Sequence, residues 1–256
     1  MIHPNLPSLA HVNFTSPSPE NSDNHPFSLN IIKNLKSITF PQQITFFVGE
    51  NGTGKSTILE SLAYKAGLGL EGGSKNIHFT TAEHNAHHAT IELAEHMTLS
   101  WRKKPKNGYF FRAESFFNVA NYIDSLVQNG GPEKAYGPYG GKSLHAQSHG
   151  ESFLSFFQHR LGNEGFFILD EPEAALSPQR QLALLVKIHE MCKNPRTQFI
   201  IATHSPILLA YPEATIYSCD SGYLHQVDYK QTEHYKLTKQ FLNNPEQFLH
   251  HLFTNT

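Results

Sequence analysis

The apolar run Ile44–Val48 (ITFFV) ends in a glycine and predicts a short buried strand. Beyond the next loop, Ile58, Leu59, Leu62, Ala63 and Ala66 recur at helical spacing, which predicts one apolar helix face stopped in the region of Gly67 and Gly69. Two further buried strands are predicted at residues 166–169 (FFIL) and 199–203. The helix between them, over residues 179–192, is expected to carry Leu182, Leu185 and Val186 on one face. Strand, helix and strand in this order predict a parallel sheet with right-handed crossovers.

Elsewhere the pattern is weaker. Short alternating runs at residues 90–93 and Met97–Trp101 predict a small antiparallel β part. The stretch 109–117 (YFFRAESFF) is strongly apolar and leads into a predicted helix over 119–127. Five glycines and two prolines within residues 129–141 predict a loop. Residues 215–227 read as a hairpin turning at Asp220, Ser221 and Gly222, and the chain then ends in helix. Residues 4–26 are rich in Pro, Ser and Asn, so 1–26 are expected to form an irregular lead-in.

With 256 residues, 39% of them hydrophobic, the sequence can fill one large core, which predicts a single α/β domain over 1–256. Cys192 and Cys219 are too few for a disulfide framework and lack zinc-site spacing, which suits a reducing compartment. No stretch approaches the roughly 20 apolar residues of a membrane span, and the N-terminus lacks a signal-peptide pattern; a cytoplasmic protein with no integral membrane segment is expected. A net charge of −2 gives no support to nucleic acid as a partner. The histidines crowded at His84, His87, His88 and His96 have no carboxylate or cysteine at ligand spacing, so a solvated loop is preferred there to a metal site. His250 and His251 are read the same way.

The strongest chemical signal is GENGTGKST, comprising Gly49, Glu50, Asn51, Gly52, Thr53, Gly54, Lys55, Ser56 and Thr57. It satisfies G-x-x-x-x-G-K-[ST] and lies between a predicted strand and a predicted helix. Glycines let successive N–H groups face a phosphate, and the helix N-terminus adds partial positive charge. Lys55 is then expected to neutralise the β and γ phosphates and Ser56 to hold Mg²⁺. Asp170 and Glu171 follow the FFIL strand, at the end of a parallel strand where ligands bind. Asp170 is expected to hold Mg²⁺, and Glu171 to polarise the attacking water.

GENGTGKST, QSHGES, FFILDEPEAALSP and IIATHSP occur in the order and at the spacing of the ABC-type ATPases, over Ile44 to roughly Tyr217. The chain resembles the branch that includes the chromosome-maintenance and double-strand-break repair ATPases and the DEPE-type ATPases; within it, FFRAESFFN and SHGESF resemble a family of small stand-alone ATPases. The resemblance implies a P-loop NTPase with a mainly parallel sheet, a small antiparallel part and a helical signature subdomain over about 108–162. It aligns residues 147–151 with the signature loop, keeping Ser148, Gly150 and Glu151, with His149 in place of a glycine. Such a loop binds the γ-phosphate of ATP held by a second subunit; Ser148 with Glu151 three residues on is also a capping box in its own right. His204 matches the switch histidine that contacts the γ-phosphate, and Ser177 stands at a D-loop position where transporters carry aspartate. Arg112 and Glu114 are the candidates for the glutamine-loop lining, and Phe27 for the adenine contact.

The implied function is ATP binding and hydrolysis with Mg²⁺, driving a head-to-tail homodimer and a conformational switch on an unidentified partner. The stretch between Lys55 and Ser148 is too short, and too broken by glycine and proline, to carry a coiled-coil arm. Alternatives are the nucleotide-binding subunit of a membrane transporter and the ATPase component of a DNA repair or defence system. A P-loop kinase would not need QSHGE, Glu171 and His204 in this arrangement, which favours water as the phosphoryl acceptor.

Overall fold

A computed structural model of the chain describes residues 6–70, 87–113, 116–146, 149–159, 161–162 and 164–254. The first half runs β1 (Leu9–Phe14), α1 (Asn30–Lys33), β2 (Ser37–Thr39), β3 (Ile44–Val48), α2 (Lys55–Ala66), α3 (His88–Glu95) and β4 (Met97–Trp101). Next come β5 (Gly108–Arg112), α4 (Phe116–Ser125), α5 (Val127–Tyr136), α6 (His149–His159) and β6 (Gly165–Asp170). The remainder is α7 (Pro178–Cys192), β7 (Thr197–Ala202), α8 (Pro206–Leu209), β8 (Thr215–Ser218), β9 (His225–Gln226), α9 (Glu233–Asn243) and α10 (Pro245–Thr254).

Six strands form one sheet in the order β5-β6-β7-β3-β8-β9, parallel except for the β8–β9 hairpin. Alternation along the inner strands sends successive side chains to two separate cores. Phe46, Tyr109, Phe111, Phe167, Leu169, Phe199 and Ile201 join the core that also holds residues of α4, α6 and α7. Phe47, Phe110, Phe166, Ile168 and Ile200 join the core shared with α2 and the small sheet. This parity decides where the chemistry lies: Asp170 and Arg112, two residues beyond Ile168 and Phe110, fall on the α2 side of the sheet.

The second sheet is antiparallel, in the order β2-β1-β4. The expected irregular lead-in is therefore corrected: Leu9–Phe14 is a strand, with Leu9 and Val12 buried. Its partners are distant in sequence, so local composition gave no sign of it. Side chains of the large sheet fasten the small one to it: the Tyr217 hydroxyl on β8 donates to the Thr39 carbonyl on β2 (2.8 Å), and Gln198 reaches β1. Gln198, buried on β7, accepts a hydrogen bond from the Leu9 N–H (2.7 Å) and donates one to the Leu9 carbonyl (3.2 Å), so its amide serves as an extra rung of backbone. Gln198→Leu strands both groups without water; we expect a loss of about 3 kcal/mol, read by thermal or urea melting. A variant that melts with the wild type would show that other groups serve Leu9.

Three local expectations change. Residues 90–93 are not a strand but part of α3, where Thr90, Leu93 and Ala94 are the buried positions. Their spacing is helical, and a window of four residues is too short to separate the two periods. Residues 129–141 are mostly helical rather than loop: α5 breaks at Gly131 (φ 77°), Pro132 follows the break, and a 3-10 turn spans Gly137–Tyr139. The glycine supplies the positive φ and the proline opens the next turn, so these residues interrupt a helix without abolishing it. On α7 the buried face is Gln181, Leu184, Ile188 and Met191, whereas Leu182 and Val186 are 55% and 60% exposed. The apolar pattern does not mark this face because Gln181 is a polar residue on it, with its amide committed to Leu176 and Ser205.

Candidate active site

The phosphate loop leaves the carboxyl end of β3, with β7 and β8 on either side of that strand. Gly49 adopts φ 145°, and a Cβ there would lie 2.9 Å from Asp220 Oδ1. Gly54 precedes α2 at φ 98°, where a Cβ would come within 2.9 Å of Ile31. Only glycine suits both demands, a left-handed or strained backbone and no room for a side chain. Asp220, at the end of β8, accepts hydrogen bonds from the Glu50 N–H (2.7 Å) and the Ser218 hydroxyl (3.1 Å), bracing the loop's entry. In the sequence Asp220 stands only in a predicted turn; its role depends on β8 lying beside β3.

Lys55 is 4% exposed, and its ammonium donates to the carbonyls of Gly49 (2.6 Å) and Glu50 (2.9 Å). The Thr53 hydroxyl donates to the same Glu50 carbonyl (2.8 Å). Asn51, Gly52, Gly54, Lys55, Ser56, Thr57 and Glu171 line a cleft of about 180 Å³, together with His25 and Leu29.

Across from the loop, the Ser56 hydroxyl donates to Asp170 Oδ1 (3.3 Å). Asp170 is 2% exposed, and burial pushes its pKa up to about 6. Arg112 and the Ser56 hydrogen bond oppose the rise, while Glu171 and Glu60 add to it. Arg112 pairs with Glu60 (2.6 Å) more closely than with Asp170 (3.8 Å), and Glu60 also accepts from the Thr90 hydroxyl (2.9 Å). The guanidinium therefore compensates Asp170 only in part. Arg112 reaches the site through β5, in register with Asp170; Glu114 lies outside the described residues.

Glu171 follows β6 with a left-handed backbone (φ 49°), which turns the chain toward the 3-10 segment Pro172–Ala175. Its Oε1 lies 3.4 Å from Nε2 of His204, and that nitrogen is buried without a hydrogen bond. The His204 N–H donates to Glu173 Oε1 (2.5 Å), and its Nδ1 contacts Nε2 of His234 at 2.9 Å. Burial raises the pKa of Glu173, with the His204 N–H bond opposing. Ser205 caps α8 and donates to Gln181 (2.5 Å), so the segment carrying His204 is tied to α7. Glu173, His234 and Glu60 were missed in the sequence, where none stands in a phosphate or acidic-pair pattern.

The structure thus gathers the phosphate loop, Lys55, Ser56, Asp170, Glu171 and His204, and leaves Gly150 and Glu151 elsewhere. Gly150 is buried, and a Cβ there would collide with the Arg180 side chain and come within 3.2 Å of the Ala175 carbonyl. Glu151 pairs with Arg180 (3.2 Å). Neither lines the cleft over the phosphate loop. Ser148 lies outside the described residues. Phe27 is corrected as an adenine contact: it is buried in the α2-side core, edge-on to His96 with ring centroids 4.9 Å apart. Of the crowded histidines, His84 lies outside the described residues, His88 opens α3 and pairs with Glu92 (3.7 Å), and no group of three metal-ligating side chains occurs among the described residues. No helix among them is long and apolar enough to cross a membrane.

Residues 27–135 match a family model described as an AAA domain. Residues 151–210 match another, described as "AAA domain, putative AbiEii toxin, Type IV TA system". No curated protein matches the chain. Among solved structures, the chain is similar to CbiO1 of Clostridium perfringens, part of the ABC transporter complex CbiONQ, with 16% identity and a TM-score of 0.49 over 96% of this chain and 99% of that one. It is also similar to the SMC head domain of Thermotoga maritima, with 16% identity and a TM-score of 0.42 over 86% of this chain and 98% of that one. The two AAA-domain matches fall on a mainly parallel sheet that carries the phosphate loop at the end of an inner strand, the arrangement of a P-loop ATPase domain.

Proposed function

We propose that the chain binds ATP with Mg²⁺ and hydrolyses it within a head-to-tail pair of copies, each supplying its signature segment to the other's nucleotide. The observation that carries this reading is the division of the site. The loop and Glu171 line one cleft, with Asp170 joined to it at Ser56 and His204 at Glu171, whereas Gly150 and Glu151 sit against Arg180 outside it. A second copy would complete what one copy leaves open.

On this reading the Lys55 ammonium exchanges the Gly49 and Glu50 carbonyls for phosphate oxygens. Asp170 and Ser56 would hold Mg²⁺: a buried carboxylate only partly compensated by Arg112, beside a hydroxyl, is the oxygen donor set that a hard cation takes. When bound, the ion supplies charge neutralisation at the phosphates. Glu171 accepts a hydrogen bond from the attacking water and turns its lone pair toward the phosphorus. His204 offers its unpartnered Nε2 as donor to the terminal phosphate.

The test is mass in solution by light scattering after size exclusion. Glu171→Gln, slowed in hydrolysis, is expected to run as a monomer alone and at twice that mass with Mg-ATP. Ser148→Arg is expected to bind nucleotide and stay monomeric. A Glu171→Gln chain that remains monomeric with ATP bound would rule out the head-to-tail arrangement. A second reading concerns only what the motion acts on: the description of the model matched by residues 151–210 favours a role in a defence system over one in transport.

A further inference from the structure

His234 belongs to no recognised motif, and it comes from α9, a helix with no buried residue of its own. Yet its Nε2 lies 2.9 Å from Nδ1 of His204, with ring centroids 5.0 Å apart. The placement is firmly held. The Thr232 hydroxyl caps α9 by accepting from the Tyr235 N–H (3.3 Å) and donates to the Tyr229 carbonyl (2.8 Å). The Tyr229 hydroxyl in turn donates to the carbonyl of Pro206 (3.0 Å), two residues after His204, and the Tyr229 ring packs on Tyr235. The start of α9 and the segment carrying His204 therefore form one braced unit.

Two neutral imidazoles meeting nitrogen to nitrogen share one proton, which either ring can donate. The far side of His204 breaks the symmetry. Its Nε2 faces Oε1 of Glu171 at 3.4 Å, and a carboxylate only accepts. An N–H at that position is attracted, whereas a bare lone pair is repelled by the carboxylate and by any phosphate beyond it. With Nε2 protonated, Nδ1 of neutral His204 is an acceptor, and the shared proton belongs to His234 Nε2. Nδ1 of His234 is then a lone pair, in keeping with its being buried without a partner. Burial lowers the pKa of His234, which favours the neutral ring that this arrangement needs.

We propose that His234 is a positioning residue that holds His204 in the Nε2–H tautomer, so that the switch histidine presents a donor to the terminal phosphate. The proposal rests on the role given to His204 above, and it makes α9 part of the hydrolytic apparatus. Without the His234 donor, Nδ1 of His204 loses the partner that fixes it as an acceptor, and only the longer contact with Glu171 still favours the Nε2–H form.

The test uses the full chain, ¹⁵N-labelled at histidine, with the His204 ring identified by difference from His204→Gln. Long-range ¹H–¹⁵N correlations distinguish the tautomers directly. Wild type is expected to show the Nε2–H pattern at His204, and His234→Leu a mixture. In steady-state assays His234→Leu is expected to lose about tenfold in kcat with the KM for ATP within about twofold. His234→Gln, whose amide still donates, is expected to recover most of that loss. An Nδ1–H tautomer in wild type, or a His234→Leu chain unchanged in both tautomer and kcat, overturns the proposal. A wild-type chain with the expected tautomer that binds no nucleotide overturns the ATPase reading and still supports the pairing of the rings.

Discussion

Asp170→Asn is expected to make the chain more stable at pH 8 and almost inactive. A carboxylate that titrates near pH 6 when folded binds its proton more tightly there than in the unfolded chain. Stability is therefore greatest while the group is protonated in both states. It falls as pH climbs from about 4, the ordinary aspartate range, to the folded value near 6. Above that window the deficit is complete, at about 3 kcal/mol from the conversion of about 1.4 kcal/mol per pH unit. Asparagine keeps the shape and can accept from Ser56 without carrying the charge. At pH 8 the variant is expected to melt about 5–10 °C higher, with the gain shrinking toward zero near pH 4. Hydrolysis is expected to fall by about 10²- to 10³-fold, because the residue proposed to hold Mg²⁺ has lost its charge. Melting curves at the two pH values, without nucleotide, decide the first half; no gain at pH 8 would mean that Arg112 compensates the charge fully.

Phe153→Ala is expected to be the most damaging of the core truncations in α6, at about 4 kcal/mol. The ring is fully buried, 4.5 Å from Phe111 edge-on and 4.7 Å from Phe157. Removing it leaves a void bounded by a strand and a helix that other contacts hold in place, so the gap closes poorly. The melting temperature is expected to drop by about 8–16 °C. A functional effect should accompany this, because Gly150 and Glu151 begin the same helix and Phe153 is their first anchor to β5. Below the melting transition the variant is expected to bind nucleotide and form the proposed ATP-dependent dimer poorly. Urea denaturation and light scattering check the two parts; a loss under about 1.5 kcal/mol would show that the helix settles onto the strand.

How much of this was legible in the sequence depended on how local each signal is. The phosphate loop could be read because its glycines, Lys55 and Ser56 are consecutive and sit between a strand and a helix whose periods are distinct. The acidic pair and His204 could be read because they end buried apolar strands. The brace from Asp220 to Glu50, the partial pairing of Arg112 with Asp170 and the contact of His234 with His204 are each made across elements far apart in sequence. Nothing at position 220 or 234 differs from an ordinary turn or helix residue until β8 lies beside β3 and α9 lies beside α8. β1 escaped notice for the same reason. The misread face of α7 has another cause: a glutamine is buried there to serve two hydrogen bonds, so polarity and exposure part company.

The strand order also bears on how the chain comes off the ribosome. β3 carries the nucleotide loop, yet both strands that flank it, β7 and β8, are made much later, starting at Thr197 and Thr215. A nascent chain can pair β5 with β6 early, but that pair reaches β3 only through β7. Until then the loop has no sheet beneath it, and Asp220 and His234 have yet to be added. The strand order therefore places completion of the site around the phosphate loop late in synthesis, after β7 and β8 have been added.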